Sequence, residues 1–78
     1  MPRYYFHLYN GATARDEEGR DLPDLHRARQ EAIKAAREMM CEDIREGVLR
    51  LDLRIGIGDA DGTEVLLVPF TDAVTIQR

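Results

Sequence analysis

Apolar and polar positions along this chain change period several times, and each change marks an element. From Arg3 to Tyr9 they alternate, with Tyr4, Phe6 and Leu8 on one face and Tyr5, His7 and Tyr9 on the other. A period of two carried by aromatic residues predicts a strand. Asn10-Gly11 follows at once and favours a tight hairpin turn. Thr13 to Asp16 then reads as a short return strand, and Asp16-Glu17-Glu18-Gly19 as a second turn on the solvated side. From Leu25 the period lengthens: Ala28, Ala32, Ala36, Met39 and Met40 recur every three or four residues, flanked by Ile33 and Ile44. That spacing predicts a helix from Asp24 to Glu46, with Asp24 as its N-cap and Gly47 as the left-handed residue that closes it. The alanine stripe lets the helix axis approach a sheet closely. Arg29 lies within the stripe and is expected to snorkel over the sheet edge toward Asp21.

Beyond the helix the period returns to two. Leu51, Leu53, Ile55 and Ile57 alternate with Asp52, Arg54, Gly56 and Gly58, the pattern of a half-buried strand. Asp61-Gly62 turns the chain, Glu64 to Phe70 forms a partner strand, and Ala73 to Ile76 suggests a further short edge strand. The whole chain, residues 1–78, reads as a single small α+β domain. Its sheet leans antiparallel, one long helix packs on one face, and the order is β(β)αββ. The segment Glu64–Phe70 is apolar on both sides, with Leu66, Val68 and Phe70 opposed to Val65 and Leu67. One helix covers one face only, so the second is covered either by the carboxy-terminal segment or by another chain. Tyr5, His7 and Tyr9 belong to that same face. The candidate partner-binding residues are therefore Tyr5, His7, Tyr9, Val65 and Leu67, and the expected partner is a second copy or one other protein.

Composition narrows the function classes. At 78 residues only about 60% of the unfolded surface can be buried, which makes help from an oligomer plausible. The net charge of −4 and a pI near 5.0 argue against nucleic acid, whose phosphates call for a basic stripe. Cys41 is the sole cysteine, so no internal disulfide is expected and a reducing cytoplasm is the simplest setting. The first residues lack a secretory pattern, and the longest apolar run, Val65 to Phe70, is too short to span a bilayer. The expectation is a soluble, untargeted protein.

Candidate chemistry is sparse. The chain has no serine, which excludes a serine nucleophile. Cys41 falls opposite the alanine stripe, far from His7 on a strand and His26 at the helix start. One cysteine and two scattered histidines cannot assemble a structural zinc site. Asp59-Ala60-Asp61-Gly62-Thr63-Glu64 superficially resembles the start of a calcium loop, but its glycine comes too early and no glutamate closes it. Gly56-Ile57-Gly58 precedes a turn rather than a helix, so it is no phosphate loop; it suits a bulge or close approach of a neighbouring backbone. No catalytic, cofactor-binding or metal-binding residues are assigned.

Arg3-Tyr4-Tyr5-Phe6-His7-Leu8, the Asp16-Glu17-x-Gly19 turn, Leu22-Pro23-Asp24, the alanines of the helix and Pro69-Phe70-x-Asp72-Ala73 together resemble a family of short bacterial proteins of unknown function. The resemblance covers nearly the whole chain and implies small size, a cytosolic setting and no assigned activity. Leu22-Pro23-Asp24-Leu25 with Glu31-Ala32 is also similar to small antitoxin domains, although here the helix begins without the intervening stretch those domains carry. The favoured expectation is a non-enzymatic module acting through protein contact. One alternative is an antitoxin-like regulator that binds a toxin, with nucleic acid as a further contact. The other is a small ligand-binding or enzymatic domain using His7, which implies a concave pocket beside that histidine.

Overall fold

The alternation of Arg3–Tyr9 and of residues 54–69 is realised as the two halves of one sheet. The computed structural model describes all 78 residues, Met1–Arg78. Its elements are β1 (Arg3–Tyr9), β2 (Thr13–Ala14), β3 (Arg20–Asp21), α1 (Leu25–Arg45), β4 (Arg54–Gly58), β5 (Glu64–Pro69) and one 3-10 turn, Phe70–Ala73. All strand pairs are antiparallel, in the order β2-β1-β4-β5. β3 pairs with the start of β1, along the same edge that β2 occupies further on. The fold is thus α+β, with β3 added to the expected order.

Local signals set the ends of α1. Asp24 is extended and its Oδ1 accepts from the Arg27 N–H at 2.9 Å, satisfying one of the free amides of the first turn. At the other end Gly47 adopts a φ of 80°. The Val48 and Gly47 amides then bond back to the Asp43 and Ile44 carbonyls, closing the helix by the Schellman pattern. Ala28, Ala32 and Ala36 are fully buried, and Ile33 and Met40 nearly so. The buried stripe ends on Asp43 rather than Ile44, which is 64% exposed. Asp43 is held by Arg50, whose Nη2 donates to Oδ1 at 2.8 Å and whose backbone N–H donates to Oδ2 at 3.2 Å. The Arg50 hydrogen bond outweighs burial and keeps the Asp43 carboxyl below the ordinary aspartate value. Arg29 remains exposed, and Asp21 pairs instead with Arg3, Nε to Oδ1, at 3.1 Å.

Phe70, Ile57 and Val68 are the largest fully buried side chains; each such burial contributes about 1.5–3 kcal/mol. Leu53 lies just before β4, yet is buried, and its carbonyl receives the Phe70 N–H at 2.9 Å. The edge strand expected at Ala73–Ile76 is not formed, although Val74 is extended. Phe70 and Ala73 are drawn into the core as a 3-10 turn against α1, and Arg37 Nε donates to the Ala73 carbonyl at 2.7 Å. Val74 and Ile76 are left exposed. The carboxy-terminal segment therefore packs toward the helix and leaves Leu67 exposed on the opposite face.

Candidate functional site

The face of the sheet opposite α1 carries three rows of residues set by strand register. Tyr5, His7 and Tyr9 of β1 stand opposite Gly58, Gly56 and Arg54 of β4. Gly56 and Arg54 in turn oppose Leu67 and Pro69 of β5. With two glycines in it, the middle row is a trough. Tyr9 crosses this trough over Gly56, and its hydroxyl donates to Glu64 Oε1 at 2.9 Å. A Cβ at Gly56 would collide with Glu64 Oε1 and would stand 2.6 Å from the Tyr9 ring. The glycine thus accommodates side chains crossing from both neighbouring strands, not a neighbouring backbone. The Arg54 guanidinium lies 5.9 Å from the Tyr9 ring centroid, within cation–π range. The hydrogen bond to Glu64, then burial and the Glu64 charge, raise the Tyr9 hydroxyl above its ordinary titration range; Arg15 and Arg54 oppose this.

His7 is oriented by the turn that comes after β2. Its Nδ1 accepts from the Asp16 backbone N–H at 3.0 Å. That nitrogen must be unprotonated to accept, so in the neutral ring the proton is assigned to Nε2. The Asp16 carboxylate meanwhile accepts from the backbone amides of Phe6, Glu18 and Gly19, each at 3.1 Å. Burial disfavours its charge, but these three donors, with a smaller contribution from His7, more than offset that and lower its pKa. Gly19, at a φ of 70°, passes close to β1: a Cβ there would lie 2.9 Å from the Tyr4 carbonyl oxygen. The acidic turn is therefore a brace for β1 as well as a solvated turn.

Beside His7 lies a shallow, open cleft of about 310 Å³, bordered by Tyr5, Arg15, Asp16, Glu17 and Asp59. Its two aspartates are engaged by the backbone. Asp59 Oδ1 accepts from the Asp61 and Thr63 amides, both at 2.9 Å, and Asp16 serves three amides as above. With its Nδ1 also occupied, His7 has only the Nε2 side left to offer. The arrangement presents rings, one imidazole N–H and an aliphatic side chain over a trough, with Arg15 and Glu17 at the border of the cleft.

Four of the five residues expected on this face are together: Tyr5, His7, Tyr9 and Leu67. Val65 is not. A bulge in β5 sets Glu64 opposite Gly58 and Leu66 opposite Ile57, so Val65 is the extra residue. It borders a separate cleft with Tyr4 and Leu25. Its place on the open face is taken by Glu64. Glu64 was not legible as part of the face, because alternation carries no sign of a bulge; Arg54 lies on the side of β4 that alternation with Leu53 and Ile55 already separates from the core.

The fold and this face define a small α+β module: one helix on one side of a five-stranded sheet and an uncovered aromatic surface on the other. The chain belongs to the family described as a domain of unknown function, DUF6894, whose model matches residues 3–71. That span includes every residue of the open face. No curated protein and no solved structure matches the chain. No helix is long and apolar enough to cross a membrane.

Proposed function

We propose that this chain is a non-enzymatic module that works by protein contact, with a second copy or one partner, through burial of the open sheet face. The observation that carries the reading is Leu67: an aliphatic side chain 40% exposed, beside three half-buried rings, on a face that no element of the chain covers. Tyr5 and Tyr9 supply wide, stiff apolar surface with a polar tip, the type of side chain that dominates interfaces. Arg54 and Glu64 supply rim charges, and the setting we infer is a reducing cytoplasm. The double substitution Tyr5→Ala with Leu67→Asp tests the reading. Sedimentation velocity and affinity capture should show association lost while far-ultraviolet circular dichroism stays unchanged. Association at wild-type strength in a folded double variant would sink it.

The cleft beside His7 favours a second reading, a polar small ligand held by the Nε2–H and Arg15. Under it, nuclear magnetic resonance titration with a panel of anions moves the His7 and Arg15 signals at saturable concentrations. Unchanged signals across the panel reject it.

A further inference from the structure

We propose that His7 is a pH-operated latch: its neutral ring ties the turn at Asp16 to β1, and protonation undoes that tie. Two hydrogen bonds cross between this turn and β1, and they run in opposite directions. The Phe6 amide donates to Asp16 Oδ2 at 3.1 Å, and the Asp16 amide donates to His7 Nδ1 at 3.0 Å. They fill the stretch of the β1 edge that no strand pairs, between Leu8, opposite Ala14 of β2, and Tyr4, opposite Arg20 of β3. The second bond depends on a lone pair at Nδ1. An imidazole that takes up a proton becomes a donor at both nitrogens. Nδ1–H would then face the Asp16 N–H, donor against donor. That contact cannot persist, so the ring or the peptide must turn away.

The surroundings leave the ring room to move and acceptors to move to. β4 sets Gly58 and Gly56 opposite Tyr5 and His7, and even a Cβ built on Gly58 would stand 3.4 Å from Nε2, so β4 puts no side chain under the ring. Tyr5 and Tyr9 flank it along β1, and Glu64 is engaged by the Tyr9 hydroxyl. The charged groups around the adjoining cleft are Arg15, Asp16 and Glu17 from the turn and Asp59 from the β4–β5 connection. Glu17 and Asp59 give acceptors to a ring that has become a double donor, since Asp59 commits only Oδ1 to backbone amides. Burial opposes the charge of Asp16, but its three backbone donors hold the carboxyl below the ordinary aspartate value. It therefore stays ionised across the interval in which an imidazole exchanges its proton, about pH 8 to about pH 5. The two ties to β1 thus open at different pH. His26 makes the contrast: it is exposed, its Nε2 lies 3.3 Å from the Gln30 amide nitrogen, and a side-chain amide turns to suit either ring state. The latch works within one chain and stands apart from any partner of the open face.

Nuclear magnetic resonance of the full chain from about pH 8 to about pH 5 tests the latch. Ring nitrogen shifts report the state of His7, and amide exchange, corrected for its intrinsic pH dependence, reports the Asp16 N–H. At the upper end Nδ1 should be unprotonated and the Asp16 amide protected. Protection should fall about tenfold as the ring takes up its proton, the scale of one net hydrogen bond, while the amides between β4 and β5 stay protected. His7→Asn, whose side-chain oxygen replaces the Nδ1 acceptor without titrating, should keep the protection at both ends, with circular dichroism checking its fold. His7→Leu should lack it at both. Asp16 protection that holds steady while the His7 ring titrates overturns the inference, and that result needs no variant. A fall of equal size in folded His7→Asn also overturns it, as does an equal fall between β4 and β5, which would report loosening of the whole sheet.

Discussion

Along the outer edge of β1, alternate residues turn away from β4 and meet partners close in sequence. Leu8 pairs with Ala14 in β2, the Phe6 amide reaches the Asp16 carboxylate, and Tyr4 pairs with Arg20 in β3. Beyond the strand the Pro2 carbonyl takes the Leu22 N–H at 3.0 Å. Along the outer edge of β5 no such segment lies. The difference originates in the residues that succeed each strand. After β1, residues 10–22 contain no large apolar side chain until Leu22, so nothing pulls them off the edge, and turns at Gly11 and Gly19 fold them back along it. After β5 come Phe70 and Ala73, both buried against the helix side, and they carry the chain away from the edge. An edge is closed or left bare according to where the next apolar anchor must go.

Substitutions at the two edges should separate them. Asp16→Ala leaves three backbone amides without their acceptor and loosens the turn whose backbone N–H holds the His7 ring; a loss of about 2–3 kcal/mol is expected from the cost of unsatisfied groups, measured by urea denaturation. Gly19→Ala adds a strained φ and a contact with the Tyr4 carbonyl, for a loss of about 1–2 kcal/mol in the same assay. Gly56→Ala pushes the Tyr9 ring off Glu64 and should cost about 1 kcal/mol, the worth of one hydrogen bond. Ultraviolet titration of that variant should show the Tyr9 hydroxyl moving down toward its ordinary range. At β5, Leu67→Lys should change the stability of the isolated chain by less than about 0.5 kcal/mol, as for surface sites without special structure. Equal losses from Asp16→Ala and Leu67→Lys would erase the contrast between the edges.

Acid sharpens the same comparison. The Asp16 carboxyl titrates lower in the folded chain than in the unfolded one. Its stabilising contribution is therefore complete above the unfolded value, about pH 4, and is lost as pH falls through the folded value. Denaturation midpoints below about pH 4 should fall less steeply for Asp16→Asn than for the parent chain. Amide exchange should show the residues 13–21 loosening before β5 does.

The helix was legible to within a residue at each end, because Asp24 and Gly47 act through hydrogen bonds that reach no more than a turn along the chain. The two faces of β1 were equally plain, since alternation alone divides Tyr4, Phe6 and Leu8 from Tyr5, His7 and Tyr9. Four residues of the candidate face came from that division and from Leu67. Local pattern left undecided whatever depends on register between distant strands. The β5 bulge exchanges Val65 for Glu64 on the open face, and it exists only where β5 meets Gly58 of β4. Asp16 looked like a solvated turn residue until β1 supplied the Phe6 amide. Ala73 fitted a strand until α1 supplied Arg37 and a core to enter. The sequence by itself determined which residues form the helix and which side of each strand is apolar, because short-range hydrogen bonding and side-chain period suffice for both. The tertiary structure alone decided which aspartates brace the backbone, which edge is closed and on which face Glu64 lies, because each requires a partner far along the chain.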